Sequence, residues 1–167
     1  MYKRQDQHAG AIGLGCLDRG QAMCVHGTGS FVDLIIGPEP PVNSGLSEGS
    51  LTMTARRQGG VSHFAVETFV ATTGSALNWV CEKLKWFADA REISALAATV
   101  HASQGVTFVP ALTGLRVPQM EAAARASLTG VSMATTQAEV AYAILEGIAH
   151  SVTLSLIHIS EPTRLRR

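Results

Sequence analysis

The sequence is poor in cysteine and in charged residues. Its three cysteines stand far apart, at Cys16, Cys24 and Cys81. This odd, scattered set contains no CxxC pair, which argues against a disulfide framework or a cysteine metal site and is typical of a reducing compartment. Charged residues make up 16% of the chain, and 13 basic residues balance 13 acidic ones. A formal net charge of zero provides no global field to attract nucleic acid or an anionic membrane.

Long apolar runs and an apolar leader are also lacking. No uninterrupted apolar run reaches the roughly 20 residues that a membrane-spanning helix needs, and the first residues lack the apolar centre of a signal peptide. The six histidines show no spacing that indicates a metal-binding triad. The 46% hydrophobic content suits one sizeable core. We therefore expect a cytoplasmic globular protein that binds no metal through its own side chains, no nucleic acid and no membrane.

Apolar spacing and turn residues predict a mixed α/β domain. Gly59 and Gly60 mark the turn of a second hairpin, and the loop at 37–50 is rich in Pro and Gly. The predicted elements are a helix at 7–16, a hairpin of strands 21–26 and 30–36, a hairpin of strands 51–56 and 61–66, helices at 72–88 and 93–101, a strand at 106–109 and a helix at 136–150.

The C-terminal segment has an unusual composition. Residues 154–164 read LSLIHISEPTR, which matches, residue for residue, the translation of a common transposase sequencing adapter. We therefore interpret 154–167 as an adapter-derived tail that is not a domain, and exclude it from functional reasoning. We expect this tail to extend the last helix without meeting a partner surface. The alternative is a genuine C-terminal extension with a basic end.

Several short motifs follow one another along the rest of the chain. They are DQHAG at 6–10, HGTGS at 26–30, FAVE at 64–67 with GSALNW at 74–79, FVPALTGL at 108–115, and ASLTGV at 126–131 with EVAYAILE at 139–146. In this order they resemble the FGGY family of carbohydrate kinases, nearest to its glycerol kinase branch. The resemblance implies an actin-like ATPase fold, related to ribonuclease H, in which residues 1–153 form a truncated C-terminal domain.

The first motif is the one that would carry the catalytic chemistry. By resemblance, Asp6 is the general base that also contacts the substrate, and Gln7 hydrogen-bonds the polyol. A carboxylate that accepts the hydroxyl proton makes that hydroxyl a better nucleophile toward the γ-phosphate of ATP. The alternative for Asp6 is a structural role as the N-cap of a helix.

The glycine-rich motif at 26–30 would carry the phosphates. By resemblance, the turn formed by Gly27, Thr28 and Gly29 lies against the phosphates of ATP. Glycines let the backbone approach closely, while N–H groups and a hydroxyl supply hydrogen-bond donors. The alternative is an ordinary hairpin turn.

The following helix would complete the nucleotide site. Gly74 and Asn78 are four residues apart, so they share one helix face, and by resemblance that face touches the nucleotide. The alternative for this helix is packing alone, which is the interpretation we prefer for Trp79.

The resemblance implies a kinase that uses ATP and Mg²⁺ to phosphorylate a polyol or sugar, most readily glycerol, and that forms a homo-oligomer when complete. A pentulose or hexulose kinase is the alternative within the family. Alone, this piece is expected to be inactive, because the family's other domain supplies most of the polyol contacts. Residues 116–121 read RVPQME where the family has GAPYWD, which also leaves open a non-catalytic relative that uses the fold for binding.

Overall fold

A computed structural model describes residues 5–40 and 49–160, apart from the side chains of Gln5, Asp6 and Ser160. Most of the predicted loop 37–50 and residues 161–167 of the predicted tail lie outside this range. The elements are α1 (Gln5–Gly13), β1 (Ala22–His26), β2 (Ser30–Gly37), β3 (Leu51–Gln58), β4 (Val61–Val70), α2 (Gly74–Glu82), α3 (Ala90–Ala97), β5 (Thr107–Val109), β6 (Ser127–Thr129) and α4 (Gln137–Ser160).

Strands β1 to β4 form an antiparallel sheet in the order β1-β2-β4-β3. Both predicted hairpins are confirmed: β1 pairs with β2, and β3 pairs with β4. Gly59 and Gly60 both adopt positive φ at the second turn, a conformation that glycine tolerates without steric cost. Strand β4 runs four residues further than predicted, because as a central strand it keeps pairing with β2 as far as Val70 opposite Ser30.

The two faces of the sheet bury different side chains, as the alternation along a strand requires. On one face, Met23, Ile35 and Ala65 pack with Ala11 of α1. On the other face, Val32 and Val66 pack against the C-terminal end of α4. The sheet is therefore covered by a different helix on each side.

A second core lies among α2, α3, α4 and β5. These elements meet through small and branched apolar side chains, which leave little room for water. The most deeply buried members of this cluster are Ala76, Val80, Ile93, Val106, Ala141, Ala143 and Ile144. Tight packing here fixes the position of α2, whose first turn borders the candidate site described below.

Helices α2 and α3 begin and end at other residues than the predicted helices 72–88 and 93–101. Helix α2 ends at Glu82, and Lys85 follows with a φ of 59°, which a helix cannot accommodate. Helix α3 begins after Asp89, whose carboxylate accepts hydrogen bonds from the N–H groups of Arg91 and Glu92 at 2.8 and 2.9 Å. That N-cap satisfies donors that would otherwise have no partner within the helix.

Helix α4 begins with a capping box. The carboxylate of Glu139 accepts hydrogen bonds from the backbone N–H of Thr136, at 2.8 Å, and from the Thr136 hydroxyl. These bonds to Thr136 hold the pKa of the exposed Glu139 carboxyl below its ordinary value. The start of the predicted helix 136–150 is thus confirmed, although the helix continues to Ser160.

Helix α4 is long and apolar. Residues Gln137–Ile159 have a mean hydropathy of 1.6, so this helix is long and apolar enough to cross a membrane by length and composition. The sequence has no uninterrupted apolar run of this length, because Glu146 and His150 lie within it. Core helices of globular proteins satisfy the same criterion, and Ala141, Ala143 and Ile144 of α4 are buried in the helical core. Since 22% of the apolar stretch is buried, α4 contributes to the core through one side only.

Part of the predicted tail is packed. Ile159 is 5% exposed and contacts the cluster that contains Val32 and Val66, so the expectation that this segment meets no partner surface is wrong at Ile159. The reason is helical periodicity: Val152 and Ile159 are seven residues apart, about two turns, and therefore lie on the same side of α4. The adapter origin of the segment stays a prediction.

Ser155 is a second feature of this end of the helix. Its side chain is fully buried, and within residues 5–40 and 49–160 its hydroxyl has no hydrogen-bond partner, which costs stability. We expect Ser155→Ala to raise the free energy of unfolding by about 1–2 kcal/mol in urea denaturation.

Ser151→Ala is the matched control in the same helix. Its hydroxyl donates to the carbonyl oxygen of Gly147 at 2.9 Å, so this substitution gains the same helix propensity but loses a bond. Equal effects of the two substitutions would contradict the assigned cost of the buried Ser155 hydroxyl.

Candidate functional site

The turn between β1 and β2 is docked on the first turn of α2. The N–H of Gly74 donates to the carbonyl oxygen of Gly27 at 3.1 Å, and the N–H groups of Thr73 and Ser75 donate to that of Thr28 at 3.2 and 3.0 Å. The structure thus brings together two segments that are far apart in sequence and that were predicted to share one site.

Close backbone approach explains the glycines in this contact. A Cβ atom built on Gly29 would lie 2.6 Å from the carbonyl oxygen of Val70, and one built on Gly74 would collide with the carbonyl oxygen of Gly27. Neither neighbour is a side chain that could rotate away. The ordinary-turn and helix-packing interpretations therefore account for the glycines in part, and the nucleotide contact remains a prediction.

A buried hydroxyl network supports the docked turn. The hydroxyl of Ser30 donates to that of Thr73 at 3.0 Å, and the Thr73 hydroxyl donates to the carbonyl oxygen of Gly27 at 3.4 Å. The Ser30 hydroxyl also lies 2.7 Å from Nδ1 of His26, which extends the network to the end of β1.

Sequence reasoning missed Thr73 as part of this site. A threonine directly before a helix predicts an N-cap, yet its hydroxyl makes no capping bond. It reaches Gly27 and Ser30 instead, 46 and 43 residues away along the chain. The signal that could have found it is the pairing of a threonine before a helix with a serine after a Gly-Thr-Gly turn.

The side chains on the outside of this contact are available to a ligand. Thr28 is exposed at the tip of the turn, and Asn78 is exposed one helical turn after Gly74. Since the carbonyl oxygens of the turn already engage the N–H groups of residues 73–75, the first turn of α2 has few donors left for an anion. The exposed Thr28 side chain carries a hydroxyl donor at this surface.

Helix α1 carries the remaining predicted site residues. Asp6 lies inside the helix, so the N-cap interpretation is wrong, because an N-cap residue precedes the helical conformation; its side chain lies outside the described residues. Gln7 is half-buried, and within 5–40 and 49–160 no hydrogen bond joins it to the turn. Helix α1 packs near Ile35, five residues along β2 from Ser30, and the substrate role of Gln7 stays a prediction.

Two further expectations concern packing and metals. Trp79 is half-buried and packs against the helical core, which confirms the packing interpretation of that residue. Among the described residues, no group of three or more His, Cys, Asp or Glu side chains could hold a metal ion.

The three cysteines are not activated nucleophiles. Burial is the main cause that raises the pKa of the thiols of Cys16, Cys24 and Cys81, whereas a reactive thiol needs a lowered pKa.

Comparison with known proteins agrees with this geometry. Residues 22–162 match the FGGY family of carbohydrate kinases, C-terminal domain, so the match extends beyond the predicted domain limit at 153. The chain is 42% identical to a glycerol kinase of Myxococcus xanthus over 146 residues, which are 86% of this chain and 29% of that protein. It is 38% identical to a glycerol kinase of Geobacter sp. over 156 residues, 93% and 31% of the two chains.

Solved structures show the same fold. A glycerol kinase of Plasmodium falciparum with ADP superposes with a TM-score of 0.80 at 31% identity, over 91% of this chain and 30% of that one. A xylulose kinase of Lactobacillus acidophilus, at 23% identity and a TM-score of 0.76, shows the fold alone. The chain thus spans about a third of the relatives it matches. Together, the docked turn, the match over residues 22–162 and these likenesses show that the chain belongs to the FGGY family of carbohydrate kinases, in the region of their C-terminal domain.

Proposed function

We propose that this chain is part of an ATP-dependent kinase that transfers the γ-phosphoryl group of ATP to glycerol. The observation that carries the proposal is the turn of Gly27, Thr28 and Gly29, held on the first turn of α2 by three backbone hydrogen bonds. Phosphoryl transfer depends mainly on positioning and electrostatic stabilisation, and a turn fixed in this way is a rigid surface for phosphates. The relatives named above as glycerol kinases support glycerol as the acceptor.

Each predicted residue has a distinct role in this proposal. The Thr28 hydroxyl donates to a phosphate oxygen, while Gly74 and Asn78 form the face that receives the nucleotide. Asp6 accepts the proton of the attacking hydroxyl, and Gln7 orients the polyol. The aromatic and aliphatic core beneath α2 keeps the turn and the helix at a fixed separation.

Magnesium enters as part of the substrate, Mg–ATP. The described residues contain no cluster of three or more ligands that would hold the ion by themselves. Mg²⁺ commonly retains several waters and binds through substrate phosphates and one or two carboxylates. In this proposal the turn that carries Thr28 therefore contacts the phosphates and not the ion. We place the complete enzyme in the cytoplasm, as a possible homo-oligomer without nucleic-acid or membrane partners.

A chimera tests the proposal. Residues 6–153 of this chain would replace the matching segment of the Myxococcus xanthus glycerol kinase, and ATP-dependent glycerol phosphorylation would be measured beside the unaltered host. We expect steady turnover by the chimera and none by the isolated 167-residue chain, which spans about a third of its relatives. A folded chimera that binds ATP without turnover would favour the non-catalytic relative. Steady turnover by the isolated chain would contradict the expectation that it is incomplete.

Acceptor choice needs a separate measurement. A pentulose or hexulose kinase is the alternative within the family, and the neighbouring xylulose kinase structure matches by fold only. Phosphorylation of glycerol, of the pentulose xylulose and of a hexulose would be compared side by side with the complete protein.

A further inference from the structure

A cleft lies beside the segment that leads from β4 to α2, and residues 69–72 form part of its wall. Its volume is about 360 Å³, within the lower range of small-molecule sites. The walls come from the end of β4, from β5 and Pro110, from residues 114–119 and from one face of α4 between Ala143 and Leu154. This wall set is mostly apolar, which suits the body of a small organic ligand.

Arg116 places a guanidinium in the lining of this cleft. The guanidinium carbon of Arg116 is 5.7 Å from the centre of the Phe69 ring, over its face. The Nε atom of Arg116 is buried and has no hydrogen-bond partner, and among the described residues no hydrogen bond or ion pair engages the rest of the guanidinium. A partly desolvated guanidinium without an acceptor is unfavourable, and an oxyanion would satisfy two of its donors at once.

The aromatic support of Arg116 is rigid. Phe69 stacks on Phe31 of the paired strand, with ring centres 5.8 Å apart and planes 21° apart. The Arg116 guanidinium therefore lies over a pair of aromatic rings on the sheet. Arginine presents its donors as a planar fork that matches carboxylate and phosphate oxygens. The position therefore provides geometry for an anion as well as charge.

The wall that α4 forms limits where the charge of a ligand can lie. Glu146 of α4 lines the cleft, and its carboxylate accepts a hydrogen bond from Ser103 at 3.1 Å. His150 also lines this wall. A ligand with negative charge along its whole length would approach Glu146, whereas a ligand with one charged end would place that end at Arg116 and its apolar body between α4 and Pro110.

We propose that this cleft binds a small organic oxyanion, a carboxylate or phosphomonoester with an apolar body, through the guanidinium of Arg116. The juxtaposition of an unpartnered guanidinium, an aromatic stack and an apolar cleft carries this assignment. Binding requires neither nucleotide nor kinase turnover, so the site can be tested on this chain whether or not the proposed kinase function holds.

The test titrates phenyl phosphate, benzoate, inorganic phosphate and benzyl alcohol into the isotope-labelled 167-residue chain, followed by NMR at the amides of Phe69, Leu115 and Gly147. We expect phenyl phosphate or benzoate, or both, to bind more tightly than inorganic phosphate and benzyl alcohol. The comparison of the first two identifies whether a phosphomonoester or a carboxylate is preferred. Arg116→Gln should weaken binding by about 10- to 100-fold, since it removes a charge-assisted pair.

Three further variants complete the test. Arg116→Lys keeps the charge without the fork and should bind with intermediate affinity, whereas Arg57→Gln changes an exposed arginine on β3 and should bind as the parent does. Ser151→Leu fills the cleft without a change of charge and should abolish binding, which keeps the proposal testable if Arg116→Gln does not fold. No binding of any probe, or equal binding by the parent, Arg116→Gln and Ser151→Leu proteins, would overturn the proposal.

Discussion

Replacing Asp6 with asparagine in the chimeric kinase is expected to lower kcat by about 10²- to 10⁴-fold, the usual contribution of a general base. Asparagine has the shape of aspartate and keeps much of its hydrogen bonding, but it cannot accept the proton of the attacking hydroxyl. The apparent KM values for glycerol and ATP should change little, because the lost interaction belongs to the transition state. Steady-state kinetics with both substrates varied would measure this separation.

Two comparison variants make the result specific. Asp18→Asn removes an exposed carboxylate from the loop after α1 and should leave kcat unchanged. Thr28→Ala should raise the KM for ATP by about tenfold or more, because it removes a hydrogen bond to a charged phosphate. An unchanged kcat for Asp6→Asn would mean that Asp6 is only a residue of α1, and the proposed mechanism would then be wrong.

Asp33→Asn is expected to stabilise the chain at neutral pH by up to about 3 kcal/mol. Asp33 is 1% exposed on β2, and in the part of the chain that the structure describes neither of its carboxylate oxygens has a hydrogen-bond partner. Burial raises the pKa of this carboxyl from 3.8 to about 6. Glu67, also buried, is directly opposite on β4. After burial, the charge of Asp33 is the second cause that raises the pKa of the Cys16 and Cys24 thiols.

The sign of the pH dependence follows from the direction of this shift. A carboxyl with a pKa higher in the folded than in the unfolded protein takes up a proton on folding between pH 3.8 and about 6. Its destabilising effect is therefore absent below pH 3.8, grows across that interval and is complete above about pH 6. The difference in unfolding free energy between Asp33→Asn and the parent should follow the same curve.

Urea denaturation at pH 4.5, 6 and 8 would measure this curve. Asp33→Leu tests the same point without a buried amide, and the exposed Asp18→Asn is the control for a general change of charge. An Asp33→Asn protein that is less stable than the parent at pH 8 would show that the carboxylate is satisfied in the folded protein.

The sequence predicted the two hairpins well, because they depend on local chemistry. Glycines at 27, 29, 59 and 60 mark the turns, and alternating β-branched residues mark the strands between them. Resemblance then connected the turn with Gly74, and the backbone bonds confirm that the two segments are in contact.

The remaining features depend on contacts between distant residues. Nothing local at Thr73 indicates a bond to Gly27, and nothing local at Arg116 indicates that Phe69 is its neighbour. The end of α4 is a related case. The apolar spacing predicted a helix to His150 and the tail was expected to extend it, but nothing local indicates that Ile159 packs against Val32 and Val66.

Helix α4 also connects two of the three hydrophobic clusters that the described residues form. Ile144 belongs to the cluster with α2 and α3, while Ile159 belongs to the cluster on the sheet. Because both clusters contain side chains of α4, local unfolding of one cluster disturbs the helix on which the other packs. The two clusters therefore tend to unfold as one cooperative unit. If the last turns of α4 fray, the amide hydrogens of the sheet exchange sooner than those of the helical core. The stability of those turns therefore decides whether the chain unfolds as one cooperative unit or as two.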